Sequence, residues 1–261
     1  MSIAGDLREV AGARQLTWML AMREIRVRYK HTLLGVGWAL ALPLSLMLIF
    51  TFLFTRVAHV PSGDLPYPLF VYLGLVPWQL HANIINGSAR CLTDNRNLVT
   101  KVYFAREALP LSIVISSLAD FAVASLLVVG LMFFYPPPAM PGLGLLTLPV
   151  VLGVQLMLGT GLALILSAGN LLYRDVQYIV QVGVTIWMFA SSVIYPIPRG
   201  PGYEWLVWAN PMTPILDGYR AAFTGAALGA EFAFAAATSF AVLVLGWRWF
   251  RHTERVFGEL A

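Results

Sequence analysis

The chain has 261 residues, of which 59% are hydrophobic and 11% charged, against roughly 45–50% and about 25% in an ordinary soluble domain. Seventeen Lys and Arg against thirteen Asp and Glu leave a net charge of +4, and no charged side chain falls between Phe121 and Tyr173. A run that long exceeds the ~20 apolar residues that cross a bilayer. The composition excludes a water-soluble globule and predicts an all-α polytopic membrane protein, because lipid leaves only helices and closed barrels and no barrel-like alternation is visible.

Other classes fall with it. The single cysteine, Cys91, allows neither a disulfide framework nor a thiolate metal cluster. The histidines (His31, His59, His81, His252) are never at ligand spacing, and no G-x-x-x-x-G-K-[ST] phosphate loop occurs. The cations sit beside apolar spans, where anionic lipid is a simpler partner than nucleic acid. The first apolar run begins only after about thirty mostly polar residues, which is the wrong plan for a cleavable signal.

In chain order, 14–32 is expected as an interfacial helix. Trp18, Met22, Ile25 and Tyr29 share one face for lipid, and Arg23, Arg26 and Lys30 share a neighbouring one for headgroups. Six largely uncharged stretches follow as spans at 35–55, 67–89, 108–135, 143–172, 176–195 and 232–250. The third contains Asp120 and stops at Pro136, Pro137 and Pro138. A carboxylate there costs at least ~2.5 kcal/mol on insertion scales, so Asp120 is expected to face the bundle and hydrogen-bond with Ser116, Ser117 or Ser125.

Between the second and third spans, 90–107 carries Leu98, Val102 and Ala105 at helical steps, with Thr93 or Asp94 placed to cap a short helix. Such a helix either docks a soluble partner or rests on the membrane. Arg174 and Asp175 make the tight turn between spans four and five, where their charges would clamp the two. The segment 197–229 is rich in Gly, Pro and aromatic residues, with short helical pieces near Trp205–Ala209 and Pro214–Leu228. It is too apolar for a free loop and too broken to span. It is either a re-entrant hairpin buried against protein or an aromatic belt. Lys and Arg divide 14 to 3 between the two sides, which predicts both termini on the cytoplasmic side.

The strings RVRYKHTLLGVGWALALPL (26–44), GLVPW (74–78), DNRNLVTKVYFAREALPL (94–111), NLLYRDV (170–176), SSVIYP (191–196) and NPMTPILDGYR (210–220) occur in this order. Together they resemble the permease subunits of type-2 ABC exporters for cell-surface polysaccharide, the O-antigen and teichoic-acid group. Ala105 departs from the proline common before the Arg-Glu pair. The resemblance implies a homodimer in the cytoplasmic membrane, with six spans per copy and an outer re-entrant gate. Two separate ATPase subunits would carry ATP and Mg, so the chain itself would hold no cofactor and catalyse nothing. The cargo implied is undecaprenyl-pyrophosphate-linked polysaccharide.

It also implies roles for residues. The first and fifth spans would lie at the dimer axis, making Trp38, Phe50, Tyr178, Trp187, Phe189 and Tyr195 candidates for the channel wall, where aromatic faces let sugars slide. Arg26, Arg28 and Lys30 would recruit the pyrophosphate, since a guanidinium fork suits phosphate. Asn95, Leu98, Lys101, Val102, Tyr103, Arg106 and Glu107 would form the coupling surface for the ATPase. Tyr203, Trp205, Trp208, Asn210, Asp217, Tyr219 and Arg220 would form the outer gate. The alternative from the same superfamily is a permease for drug, haem or lipid. A membrane-embedded glycosyl- or acyltransferase would need clustered catalytic acids or histidines, and here they are scattered.

Overall fold

The computed structural model describes residues 12–30, 32–57, 65–101, 104–136, 142–198, 200, 202 and 204–254. Among these residues all regular structure is helical. Helix α1 is Arg14–Tyr29; a 3-10 turn at Gly35–Gly37 leads into α2 (Trp38–Phe52), which a π-turn extends over Leu53–Val57. Then come α3 (Tyr67–Asp94), α4 (Arg96–Lys101) and α5 (Ala108–Phe134). A 3-10 turn at Leu143–Thr147 precedes α6 (Leu148–Leu172), followed by α7 (Val176–Phe189), α8 (Glu204–Ala209), α9 (Met212–Thr224) and α10 (Ala230–Thr253).

Local chemistry accounts for several of these limits. Prolines stand in the first turns of α3 and α6, where a missing N–H costs nothing. Helix α5 ends just ahead of Pro136. Gly225, at φ +74°, closes α9 in a left-handed conformation that a side chain would strain.

Helix α3 is the hub. It packs against α2, α5, α6, α7 and α9, and 21 of its 28 residues are buried. Enclosure by protein lets it carry Gln79, His81, Asn83 and Asn86, which lipid would not tolerate. Four stretches are both long and apolar enough to cross a membrane by length and composition: Gly35–Val57, Ala108–Phe134, Gly144–Leu172 and Ala230–Thr253. Helix α3 is long enough, at about 42 Å, but more polar. Helix α7 is apolar but only 14 residues long, about 21 Å against a hydrocarbon core of roughly 30 Å.

The expected fifth span, 176–195, therefore ends early, and the cause is visible. Asn210 donates to the carbonyl of Ala190, and Arg220 donates to those of Ser192 and Val193. These are the acceptors an onward helix would use, so the backbone turns out of the helix at Ala190.

Helices α6 and α10 make the most extensive contact between elements, and they do so through glycine. A Cβ on Gly161 would lie 2.6 Å from the Val242 carbonyl oxygen, and one on Gly246 would meet Gly161 itself. A second apolar cluster, including Leu20, Leu92, Val99, Leu109, Leu164 and Phe250, fastens α1 and α4 to one end of the bundle. In contrast, α2 buries only Pro43 and Met47, and α7 only Val180 and Val184. Both present long apolar faces that this chain leaves uncovered.

Of the stripe expected on α1, Trp18 is exposed and Met22, Ile25 and Tyr29 are half-buried, while Thr17, Leu20 and Ala21 are buried. Small residues at 17 and 21 let α1 lie close on α5, and this contact turns Tyr29 toward Asp120.

Candidate functional site

On α3, Gln79, Asn83, Asn86 and Arg90 are spaced four, three and four apart, so they share one face of the helix. That face forms a wall of a cleft of about 350 Å³. Ser117 and Asp120 of α5 face it, Arg28 and Tyr29 of α1 stand at one end, and Trp38, Leu42 and Pro43 of α2 complete it. The Gln79 amide Nε2 donates to Asn83 Oδ1 at 2.7 Å.

Asp120 accepts from the Arg28 guanidinium and from the Tyr29 hydroxyl. Of the serines expected as its partners, Ser116 Oγ donates to the Ile113 carbonyl at 3.0 Å and Ser125 Oγ to that of Phe121 at 2.7 Å, while the buried Ser117 hydroxyl reaches no partner among the described residues. A cation and a phenol from another helix outcompete neutral hydroxyls because a charge-assisted bond is about twice as strong. Burial, reinforced by the Asp120 carboxylate, raises the Tyr29 hydroxyl to about 12 and keeps it a donor. Arg28 is thus ion-paired with Asp120, whereas Arg26 and Lys30 are exposed.

A second polar cluster forms at the opposite end of α3. Arg220 of α9 is 5% exposed. Its Nε donates to the Phe70 carbonyl at 3.3 Å, Nη1 to Ser192 Oγ at 3.2 Å and Asp217 Oδ1 at 3.0 Å, and Nη2 to the Val193 carbonyl at 3.0 Å. Asn210 Oδ1 accepts from Trp187 Nε1 at 2.8 Å and from the Met212 amide at 3.1 Å, while its Nδ2 donates to Ser191 Oγ at 2.8 Å. The Tyr219 hydroxyl donates to Gln155 Oε1 at 2.7 Å, and Gln155 Nε2 donates to the Pro77 carbonyl, also at 2.7 Å.

Asn210, Asp217, Tyr219 and Arg220, expected together in the gate, are therefore brought together. They pin α8 and α9 to α3, α6 and the end of α7. Trp205 and Trp208 lie on the outside of α8, with Trp208 against Phe234 at 5.3 Å between ring centroids. Tyr203 lies outside the described residues.

The channel candidates divide. Trp38, Tyr178 and Phe189 are exposed on α2 and α7. Phe50 is partly buried beside Phe54, and Tyr195 donates to the Phe189 carbonyl. Trp187 faces inward, edge-on to His81 with ring centroids 4.9 Å apart, and so serves the protein interior.

At the end that carries α4, Asn95 stands where Thr93 or Asp94 was expected to start the short helix. Its carbonyl accepts the amides of Leu98 and Val99, its Nδ2 donates to the Cys91 carbonyl, and its Oδ1 accepts from Arg23 of α1 at 2.7 Å. Thr93 Oγ1 instead donates to the Arg90 carbonyl at 2.9 Å, so α3 runs on to Asp94.

Lys101 is exposed and Leu98 half-buried. Glu107 is wholly buried and ion-paired with Arg251 of α10 at 2.6 Å. Arg106 donates to the Glu254 carbonyl at 3.0 Å. This pair of side chains thus joins the start of α5 to the end of α10, and Glu107 offers no surface for docking. Val102 and Tyr103 lie outside the described residues.

The exposed turn at Arg174 and Asp175 is held by Asn170, not by the two charges. Asn170 Oδ1 accepts the Gln177 amide at 3.0 Å, and its Nδ2 reaches Thr93 Oγ1 at 3.3 Å.

The cleft is the feature least expected from sequence. Its signal was present all the same: four polar side chains on one face of an otherwise apolar span.

The chain matches the ABC-2 type transporter family over residues 15–224. It is 33% identical over 222 residues to the O-antigen export system permease protein RfbA of Myxococcus xanthus, covering 83% of each chain. It is 26% identical over 245 residues to the protein of that name from Klebsiella pneumoniae, covering 93% of each. Its identity to the polysialic acid transport protein KpsM of Escherichia coli is 25% over 205 residues, covering 76% of this chain and 77% of that one. A helical bundle with apolar spans and two short helices, α8 and α9, and a family match that runs from α1 through α9 agree on one assignment: the chain belongs to the ABC-2 type transporter membrane family.

Proposed function

We propose that the chain is the permease subunit of an ATP-driven exporter that carries lipid-linked polysaccharide, O-antigen in the first instance, across the cytoplasmic membrane. The agreement over 83% of the chain with a protein named as an O-antigen permease carries this reading. The motor is a separate ABC ATPase, docked on the segment around α4.

Two copies assemble with the exposed faces of α2 and α7 toward the shared axis, and α3 and α7 complete a count of six spans in each copy. A two-fold axis is the usual closure for such an assembly. A hydrated glycan cannot cross hydrocarbon, so it needs a passage, and its lipid needs a lateral opening. Trp38, Tyr178 and Phe189 on those faces offer aromatic surfaces that stack on sugar C–H faces without fixing a register. Arg26 and Lys30 stand free to meet the pyrophosphate. Both termini lie on the cytoplasmic side.

The Arg220 and Asn210 cluster closes the outer end until the motor acts. A motor can open it only by binding one of the two states better than the other. The short link from Arg23 to Asn95 joins α1 directly to the docking segment, so motion there reaches α1 first.

Depletion of the chain in its own cell tests the reading. Lipid-linked glycan is expected to accumulate on the cytoplasmic leaflet while surface glycan falls. Unchanged surface glycan overturns the proposal.

A further inference from the structure

The cleft beside α3 has unused hydrogen-bonding capacity. Gln79 donates to Asn83, and this is the one hydrogen bond among the described residues that either amide group makes. Gln79 Oε1, Asn83 Nδ2 and both polar atoms of Asn86 have no protein partner among the described residues, and none is sealed from the cleft. An amide left unpaired at such depth costs free energy, so these groups face water or a ligand.

Three features narrow the ligand. The wall is built of neutral amides, each with a donor and an acceptor, which matches vicinal hydroxyls and does not match a lipid tail. The one carboxylate, Asp120, is already neutralised by Arg28, so the cleft does not select a cation. Trp38, 52% exposed, lines the same cleft from α2, an aromatic face of the kind on which a pyranose ring stacks. Arg90, exposed at the end of the amide row, supplies a fork for a phosphate next to the sugar. A volume of about 350 Å³ falls in the range of small-molecule sites, roughly 300–1,000 Å³.

We infer that this cleft binds the first sugar of the cargo, the one joined to the lipid phosphate, with hydroxyls on Gln79, Asn83 and Asn86 and the ring face on Trp38. The inference rests on the proposed function and deepens it. It assigns recognition of the glycan's leading end to a site within each copy, beside α1, with Trp38 shared between this cleft and the face of α2 turned toward the axis. Arg28 and Asp120, ion-paired with each other, both line the cleft and tie α1 to α5 beside it.

The test uses the full-length chain with its ATPase partner in lipid nanodiscs. One probe is farnesyl pyrophosphate bearing a single N-acetylglucosamine, and the other is bare farnesyl pyrophosphate. The sugar-bearing probe is expected to bind at least about tenfold more tightly, the worth of one or two net hydrogen bonds. Asn83→Leu and Trp38→Ala are each expected to cut that ratio to near unity and to leave the bare probe unaffected. Trp38→Phe, which keeps an aromatic face, is expected to retain most of it. Trp38 is exposed, so its variants report even where Asn83→Leu fails to fold. Equal binding of the two probes, or a ratio that survives in Trp38→Ala, overturns the inference. That failure is separable from failure of the function, because depletion would still block surface glycan if only the cleft assignment were wrong.

Discussion

The Arg220 guanidinium carbon lies 3.7 Å from the centroid of the Phe70 ring, while Nε of the same side chain donates to the Phe70 carbonyl at 3.3 Å. One buried cation is thus held to the start of α3 by both its face and its edge, and its remaining donors reach the chain just after α7. Gly74 makes the approach possible, because a Cβ there would collide with Arg220 Nη2 and the Val193 carbonyl. Helix α9 is held by this side chain together with Met212, Ile215, Leu216 and Phe223, which are buried in the main apolar cluster.

Arg220→Ala removes the cation beside Asp217 and the donor to the Phe70, Ser192 and Val193 carbonyls. A loss of about 3–5 kcal/mol is expected, as for one partner removed from a buried pair, seen as a lower midpoint of thermal unfolding in detergent. Arg220→Lys keeps the charge and loses the planar fork, so it falls between the two. In proteoliposomes Arg220→Lys is expected to leak small ions without ATP. A tight Arg220→Lys membrane would contradict the closing role.

Asp120 joins α5 to α1 through Arg28 and Tyr29. Both sides of the pair are partly accessible, so a double-mutant cycle over Arg28→Ala and Asp120→Ala is expected to give a coupling of only about 1 kcal/mol. The Tyr29 phenol is raised above its ordinary value by burial and by Asp120. A raised group stabilises fully below the unfolded value near 10 and ceases to do so as pH rises through about 12. Tyrosinate absorbance of Tyr29, taken as wild type minus Tyr29→Phe, is expected to appear late in an alkaline titration. Asp120→Asn shifts it earlier.

At the crossing of α6 and α10, Gly161→Leu places a side chain against the backbone near Val242. A cost of about 1–3 kcal/mol or more is expected, from overpacking that backbone atoms cannot relieve. Gly153, in the same helix, has nothing within 4 Å of an added Cβ. Gly153→Ala is therefore expected to be neutral or slightly stabilising, since alanine is the better helix former. Thermal unfolding of the two variants side by side checks this.

Glu107 and Lys101 sit close in sequence and are expected to behave oppositely. Glu107→Ala removes the buried partner of Arg251 and lowers the unfolding midpoint. Lys101→Ala, on an exposed helix, leaves stability within about 0.5 kcal/mol and weakens retention of the ATPase on purification. If Glu107→Ala retained full stability, the ion pair would not hold α5 to α10.

Four of the expected spans coincide with apolar helices to within about three residues at each end, because uncharged length is itself the physical signal for crossing lipid. The two short helices α8 and α9 were legible in outline, since Pro and Gly bound them, although the second runs Met212–Thr224 and stops at Gly225 rather than reaching Leu228. The end of α7 was not. Ile194 and Tyr195 continue the apolar run, and only the side chains of Asn210 and Arg220, folded back from later in the chain, show why the helix stops. The partners of Asp120 were missed for a similar reason: they lie 92 and 91 residues away in sequence, and nearby serines were the local candidates. The amide row on α3 was legible in spacing but was passed over, because apolar length rather than polar periodicity defined that span.

Two copies of this chain, driven by a separate ATPase, are proposed to move a lipid-linked glycan across a bilayer. Proteoliposomes holding the chain and its ATPase, loaded on the motor side with lipid-linked glycan, test it through lectin binding on the opposite face. Lectin signal is expected to rise only with hydrolysable ATP and with two copies of the chain per particle. Signal that rises without ATP, or that never rises while ATP is consumed, would contradict it.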